Sequence, residues 1–264
     1  MIETILQSPL IFSGVLMFVY ASLAFLLALH LKNNSIMDVA YGLGFVLVAV
    51  TTLRVFGFYP LGTILTSLVF IWGLRLSVRI YRRNHGKPED FRYATWRKSW
   101  KWFTTRSFFQ IFMLQGAIIL GIVSPVVIAN SSSAYPQFWY FSVLGIIIWF
   151  IGFFFEAVGD YQLDHFLHNP VNKGHLMVSG LWSITRHPNY FGEATMWWGI
   201  WIAALPAVLT YGFFAVIVTF LISPALITFL LLKVSGVPML EKAMEGRPGW
   251  AEYKAKTSVF VPFL

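Results

Sequence analysis

Apolar runs of about twenty residues recur seven times along the chain, and they constrain its fold more than any motif does. They fall near 9–31, 36–57, 59–82, 107–130, 137–160, 190–210 and 212–234. As a helix, a run of that length crosses a hydrocarbon core of about 30 Å, where backbone groups must find partners within their own helix. Of 264 residues, 58% are hydrophobic and only 11% charged, against about 25% charged in soluble domains. A soluble core of this size cannot hide that much apolar surface. The expected fold is all-α, a polytopic integral membrane protein with about seven transmembrane helices in one domain, 1–264.

Gly57-Phe58-Tyr59-Pro60 leaves room only for a tight turn, so the second and third runs form a helical hairpin. The sixth and seventh meet closely around Leu205-Pro206, and Pro125 and Pro224 are candidate kinks. Loop charge sets the orientation. The 82–106 loop carries Arg82, Arg83, Lys87, Arg92, Arg97, Lys98, Lys101 and Arg106, whereas the 130–136 loop carries no Lys or Arg. Lys173, Arg186, Lys233, Lys242, Arg247, Lys254 and Lys256 share the side of the first loop; Arg54 alone dissents. The N-terminus is therefore expected outside and the C-terminus in the cytoplasm. The first run lacks a basic lead and a cleavage site, so it is read as retained. The net charge of +8 follows from positive-inside topology, so the expected partner is the bilayer and not nucleic acid. With no cysteine, disulfides, thiolate metal sites and cysteine nucleophiles are excluded.

Ionisable groups within such runs are costly unless paired or wetted. Asp38, Arg75, Arg79, Glu156, Asp160 and Glu193 stand out. Arg75 and Arg79 share a helix face by their spacing of four, as do Glu156 and Asp160. Structural salt bridges are one reading; a polar cavity open to the cytoplasm is the other. The densest cluster is Gly180-Leu181-Trp182-Ser183-Ile184-Thr185-Arg186-His187-Pro188-Asn189-Tyr190-Phe191-Gly192-Glu193. Pro188 keeps His187 from helical geometry and opens a helix, whose unpaired N–H groups beside Arg186 favour an anion. No G-x-G-x-x-G follows a strand, and neither a P-loop nor a G-x-S-x-G elbow occurs. Gly42-Leu43-Gly44 reads as a helix-packing surface. His165 and His168 fall on one face, but without further clustered histidines no metal site is expected. Trp96, Trp100 and Trp102 alternate with Arg97, Lys98 and Lys101, which suits a segment at headgroup level or a lid over a cavity.

Arg186-His187-Pro188-Asn189-Tyr190-Phe191-Gly192-Glu193 after Gly180-Leu181-Trp182 resembles the signature of the DUF1295 membrane proteins. These are similar to the C-terminal domain of steroid 5-alpha-reductases and, more distantly, to isoprenylcysteine carboxyl methyltransferases. The resemblance runs from about Asn33 to Leu264 and is strongest over Trp72–Lys87, Glu156–Leu163 and Gly180–Trp198. It implies an NADPH-dependent reductase of an activated C=C bond in a steroid or other enone lipid. The implied protein is a monomer of a bacterial inner membrane with its cofactor site facing the cytoplasm. The cofactor region would be mainly 150–264 and the substrate-side helices mainly 33–85. Glu156, Asp160, His187, Asn189, Tyr190 and Glu193 would meet the nucleotide, and Arg75, Arg79 and Arg186 its phosphates. Arg247 and Tyr253 would close over it.

The reductases use a Gln-Glu pair in the second span and a tyrosine in the third. The matching positions here are Met37-Asp38 and Trp72, so the acid survives while the glutamine and tyrosine do not. An indole N–H donates a hydrogen bond but gives up no proton. Tyr41, three residues after Asp38, is the substitute donor that helical spacing offers. Two alternatives stay open: an S-adenosylmethionine-dependent methyltransferase and a non-catalytic lipid-binding protein.

Overall fold

The computed structural model describes residues 8–132 and 136–263. The uncharged loop expected at 130–136 and the stretch before the first run fall partly outside the described residues, at 133–135 and 1–7. Among the described residues the chain is helical, without strands. The helices are α1 (Pro9–Leu31), α2 (Ile36–Phe56), α3 (Pro60–Asn84), the short α4 (Phe91–Ser99), α5 (Phe103–Ser131), α6 (Pro136–His168), α7 (Pro188–Tyr211), α8 (Phe213–Met244) and the short α9 (Trp250–Lys256). All but α4 and α9 are long and apolar enough to cross a membrane. The chain is a polytopic integral membrane protein. Leu10, Phe18, Leu23 and Leu26 of α1 are exposed, as a lipid-facing surface requires.

Local chemistry sets the helix ends. The Ser8 hydroxyl accepts from the Ile11 N–H at 3.4 Å, and Pro9, Pro60 and Pro188 open α1, α3 and α7, where a missing N–H costs nothing. Gly57, at φ 134°, ends α2 and forms the expected turn into α3. Pro224 lies in a π-helical turn, Leu221–Ala225, one of two in α8. Such a widened turn accommodates the proline's lost hydrogen bond. α6 and α8 outrun the apolar segments, reaching His168 and Met244. Their last turns carry polar side chains that a hydropathy window drops.

The chain divides into two compact units, Met1–Gln137 with Ala204–Thr219, and Phe138–Ala203 with Phe220–Leu264. In the first, α2 and α3 meet backbone to backbone. A Cβ on Gly42 would lie 2.6 Å from the Gly73 carbonyl oxygen, and one on Gly73 would lie 2.7 Å from that of Gly42. The Ser77 hydroxyl donates across the same contact to the Val39 carbonyl at 2.9 Å. Toward the other end of the hairpin, buried Asn130 of α5 donates to the Ala49 carbonyl and the Thr52 hydroxyl, each at 2.9 Å, and accepts from the Thr66 hydroxyl at 3.1 Å. This amide binds three helices where lipid offers no competing water.

In the second unit glycine recurs every seven residues on both partners: Gly145, Gly152 and Gly159 on α6, Gly192 and Gly199 on α7. A Cβ on Gly152 would lie 2.6 Å from the Gly192 carbonyl oxygen, and one on Gly199 2.6 Å from that of Gly145. The 7-residue period keeps one seam facing its partner along a left-handed crossing. Backbones this close place the acids of α6 beside the start of α7.

Gly42→Val is expected to destabilise the protein by about 2 kcal/mol, because the crossing must open to admit the side chain. Gly14→Ala, with nothing within 4 Å of the new methyl, is expected to be neutral or mildly stabilising. Thermal unfolding of the detergent-solubilised protein, followed by tryptophan fluorescence, checks both.

Candidate functional site

Each unit gathers its own set of charged side chains. In the first unit, α2 is preceded by Asn33-Asn34-Ser35, whose polar groups receive the segment after α3. The Asn34 N–H donates to Glu89 Oε1 at 2.8 Å and the Asp90 N–H to Ser35 Oγ at 2.8 Å. Arg97 closes a two-pronged ion pair on Glu89 at 2.7 and 2.9 Å. Asp90 caps α4 by accepting from the Arg92 N–H at 3.0 Å and from Arg92 Nε at 2.8 Å. Hydrogen bonds and cations hold both carboxyls, Glu89 and Asp90, below their usual range despite the opposing effect of burial.

This scaffold delivers the next two residues of α4 to Asp38. Arg92 Nη2 lies 3.0 Å from Asp38 Oδ2, and the Tyr93 hydroxyl donates to Asp38 Oδ1 at 2.6 Å. Tyr93 is 2% exposed. Burial first, then the Asp38 charge, push its phenol well above the usual value, while Gln115 and Arg92 pull the other way. The hydroxyl therefore stays protonated across the physiological range. An acid, a phenol, a guanidinium and a glutamine amide converge. Tyr41 packs edge-on against Phe45 at 5.0 Å, and buried Trp72 meets the same ring at 5.2 Å. Arg75 and Arg79 are half-buried on α3.

In the second unit, Glu156 and Asp160 are each 3% exposed. Asn189 Nδ2 donates to Asp160 Oδ1 at 3.2 Å while its Oδ1 caps the Tyr190 N–H at 3.1 Å. Pro188 lies against Gly159, which is how the start of α7 reaches the acids. Glu193 is half-buried one turn further on. The stretch before α7 docks on α6 through Trp182 Nε1, which donates to the Gly159 carbonyl at 3.0 Å, and through the Leu181 N–H, which donates to Gln162 Oε1 at 2.9 Å.

Arg186 and His187 turn toward the chain's own C-terminal part. Arg186, 7% exposed, donates through Nε to Glu241 Oε1 at 2.8 Å and through Nη1 to the carbonyls of Lys254 and Thr257. Its N–H donates to the Ser258 carbonyl at 2.9 Å, and the Thr185 hydroxyl to that of Phe260 at 2.8 Å. His187 Nε2 lies 3.3 Å from the same Glu241 oxygen, and the ring stacks on Tyr190 at 5.6 Å. The Tyr253 hydroxyl donates to the Trp182 carbonyl at 2.5 Å, and burial pushes it up to about 12. Arg247 is exposed. The signature thus builds two structures: Asn189 meets Asp160 of α6, while Thr185, Arg186 and His187 turn to the C-terminal part. Nε and Nη1 of Arg186, expected on phosphate, are committed to protein acceptors.

Glu241, Arg92, Tyr93 and Gln115 have no place in a motif-based reading. The sequence signal for the first three is no more than one of three glutamates after the last apolar run and an Asp-Phe-Arg-Tyr helix start. Among the described residues no group of three His, Asp or Glu is placed to hold a metal ion.

An all-helical membrane protein with paired charges buried in each of two units is the class these features define. A family model described as Protein of unknown function (DUF1295) matches residues 24–257, and the chain belongs to that family. No curated protein and no solved structure matches the chain.

Two outcomes test the clamp of Arg186 and His187 on Glu241. Glu241→Gln strips a buried guanidinium of its counter-charge and is expected to cost about 3 kcal/mol and to speed limited proteolysis within 250–263. His187 lies below its ordinary value, chiefly through burial and then the Arg186 charge, with Glu241 opposing. The unfolded chain therefore binds that proton more readily, so stability is full above pH ~6.5 and falls as acid takes the pH toward the depressed folded value. The melting temperature is expected to fall from pH 7 to pH 5, with a shallower slope in His187→Gln.

Proposed function

We propose that the protein is a membrane-embedded, NADPH-dependent reductase of an activated C=C bond in a lipophilic enone. The observation that carries this reading is the 2.6 Å hydrogen bond between Tyr93 and Asp38. Reduction of an enone needs a proton donor beside the acceptor carbonyl; the resemblance leaves that role empty at Trp72, and Tyr93 fills it from α4. Gln115 likewise stands in for the missing glutamine, reaching the same phenol from α5.

The bound nicotinamide would supply the hydride, the chemistry no side chain can perform. In the second unit the residues fit a nucleotide's uncharged groups. Glu156 and Asp160 are buried acceptors suited to ribose hydroxyls, and Asn189 carries both amide donor and acceptor. Tyr93 Oη holds the proton for the substrate. Asp38 orients that hydroxyl, and Arg92, with its Cζ 5.3 Å from the Tyr93 ring centre, stabilises the phenolate left after transfer. Water then restores the proton. Methyl transfer would need no such donor, which favours reduction over the methyltransferase reading. The orientation with these groups toward the cytoplasm, where NADPH is available, belongs to the same proposal.

Tyr93→Phe keeps the ring but removes the transferable proton and the hydrogen bond to Asp38, which retains Arg92. It is expected to lower kcat for enone-dependent NADPH oxidation at least 100-fold while NADPH affinity, measured by calorimetry, is unchanged. Full activity in this variant, or binding of S-adenosylmethionine but not NADPH by the folded wild type, would sink the reading.

A further inference from the structure

The last turns of α6 run past the apolar segment and, with the stretch that leads to Gly180, enclose a surface cavity of about 360 Å³. Small-molecule sites begin at about 300 Å³. Its lining contains no lysine, arginine, aspartate or glutamate, so it is built for a neutral group.

Two features narrow that group. Tyr161 and His165, one helical turn apart, present rings 6.2 Å apart and within 18° of parallel. Both side chains are exposed and line the cavity, a platform for a flat heterocycle. Around it stand three side-chain amides, each half used. Gln162 Oε1 accepts from the Leu181 N–H at 2.9 Å and Asn169 Oδ1 from the Val171 N–H at 3.1 Å. Each keeps its NH₂ for a ligand. Asn172 Nδ2 donates to the Phe166 carbonyl at 3.0 Å, which leaves its oxygen as acceptor. The spacing also has a backbone cause. Gly180 adopts φ 62°, and a Cβ there would lie 2.5 Å from Gln162 Nε2. The histidine pair noticed in the sequence has another use here: His168 Nδ1 turns back to the Asp164 carbonyl at 2.6 Å, and His165 goes to the platform.

We infer that this cavity binds an adenine base, stacked on Tyr161 and His165 and read by Gln162, Asn169 and Asn172. Adenine offers ring-nitrogen acceptors to the two NH₂ groups and one amino donor to the Asn172 oxygen, the edge that Asn and Gln side chains match. Guanine is matched best by arginine or lysine, and the lining has neither. In taking a nucleotide as ligand the inference rests on the reading above, but it concerns the base alone and not the reaction.

The test uses the full-length protein in detergent with adenosine as probe. Calorimetry is expected to show adenosine binding at least tenfold tighter than guanosine or uridine. Tyr161→Ala is expected to weaken it about tenfold, the range for loss of one stacked ring, and Tyr161→Phe to restore it. A photoreactive 2-azidoadenosine is expected to label peptides within 161–180. Absence of adenosine binding by folded protein, affinity unmoved by Tyr161→Ala and His165→Ala, or labelling elsewhere would overturn the assignment. NADPH oxidation is scored separately. Adenosine binding at this cavity without enone-dependent oxidation would defeat only the reductase reading. Oxidation with Tyr161→Ala binding adenosine normally would defeat only the base site.

Discussion

A charge buried in an apolar helix must be met by an opposite charge or by a strong donor, and much of this molecule follows from that requirement. The cost of an unmet ion in such surroundings is several kcal/mol, comparable to a large share of a domain's net stability. The protein answers it locally. Asp38 has Arg92 and Tyr93; Arg186 has Glu241 and two carbonyls; Asp160 has Asn189. Each answer also brings together elements far apart in sequence, so electrostatic satisfaction and tertiary arrangement are one event.

The glycine seams make those answers reachable. Side chains as short as aspartate and asparagine span little more than one hydrogen bond, so their helices must approach closely. At Gly152 and Gly192 the backbones of α6 and α7 touch, and the acids one and two turns along α6 come within reach of the start of α7. Bulkier residues at the seam would hold the helices further apart and leave Asp160 without its amide partner.

Much of the fold was legible because its signals are local. Apolar runs, Pro188 and the Gly57–Pro60 turn each act within a few residues, and the helices begin and turn where those residues dictate. The glycine heptads are visible once both runs are read as helices. Of the candidate residues, Asp160 and its partner Asn189 were both legible, the first as a charge in an apolar run and the second in the signature. Asp38 and Arg186 stand out in the same two ways. Their partners do not, because Tyr93 and Arg92 sit in a segment whose aromatic and basic residues equally describe a headgroup anchor, and Glu241 follows the last apolar run without periodic context. Spacing along a helix singles out Tyr41 and Trp72 but does not announce the Phe45 ring that packs edge-on against both.

The tail clamp also has a temporal side. Thr185 and Arg186 take their hydrogen-bond partners from residues 254–260, and at synthesis rates of about 5–20 residues per second that stretch is made roughly 4–15 s later. During this interval the guanidinium and the Thr185 hydroxyl lack their final acceptors at the mouth of a nascent membrane helix. The second unit therefore cannot be finished as its helices enter the bilayer. It is completed from the far end, when the last-made segment returns to the start of α7, and insertion and maturation become separate steps.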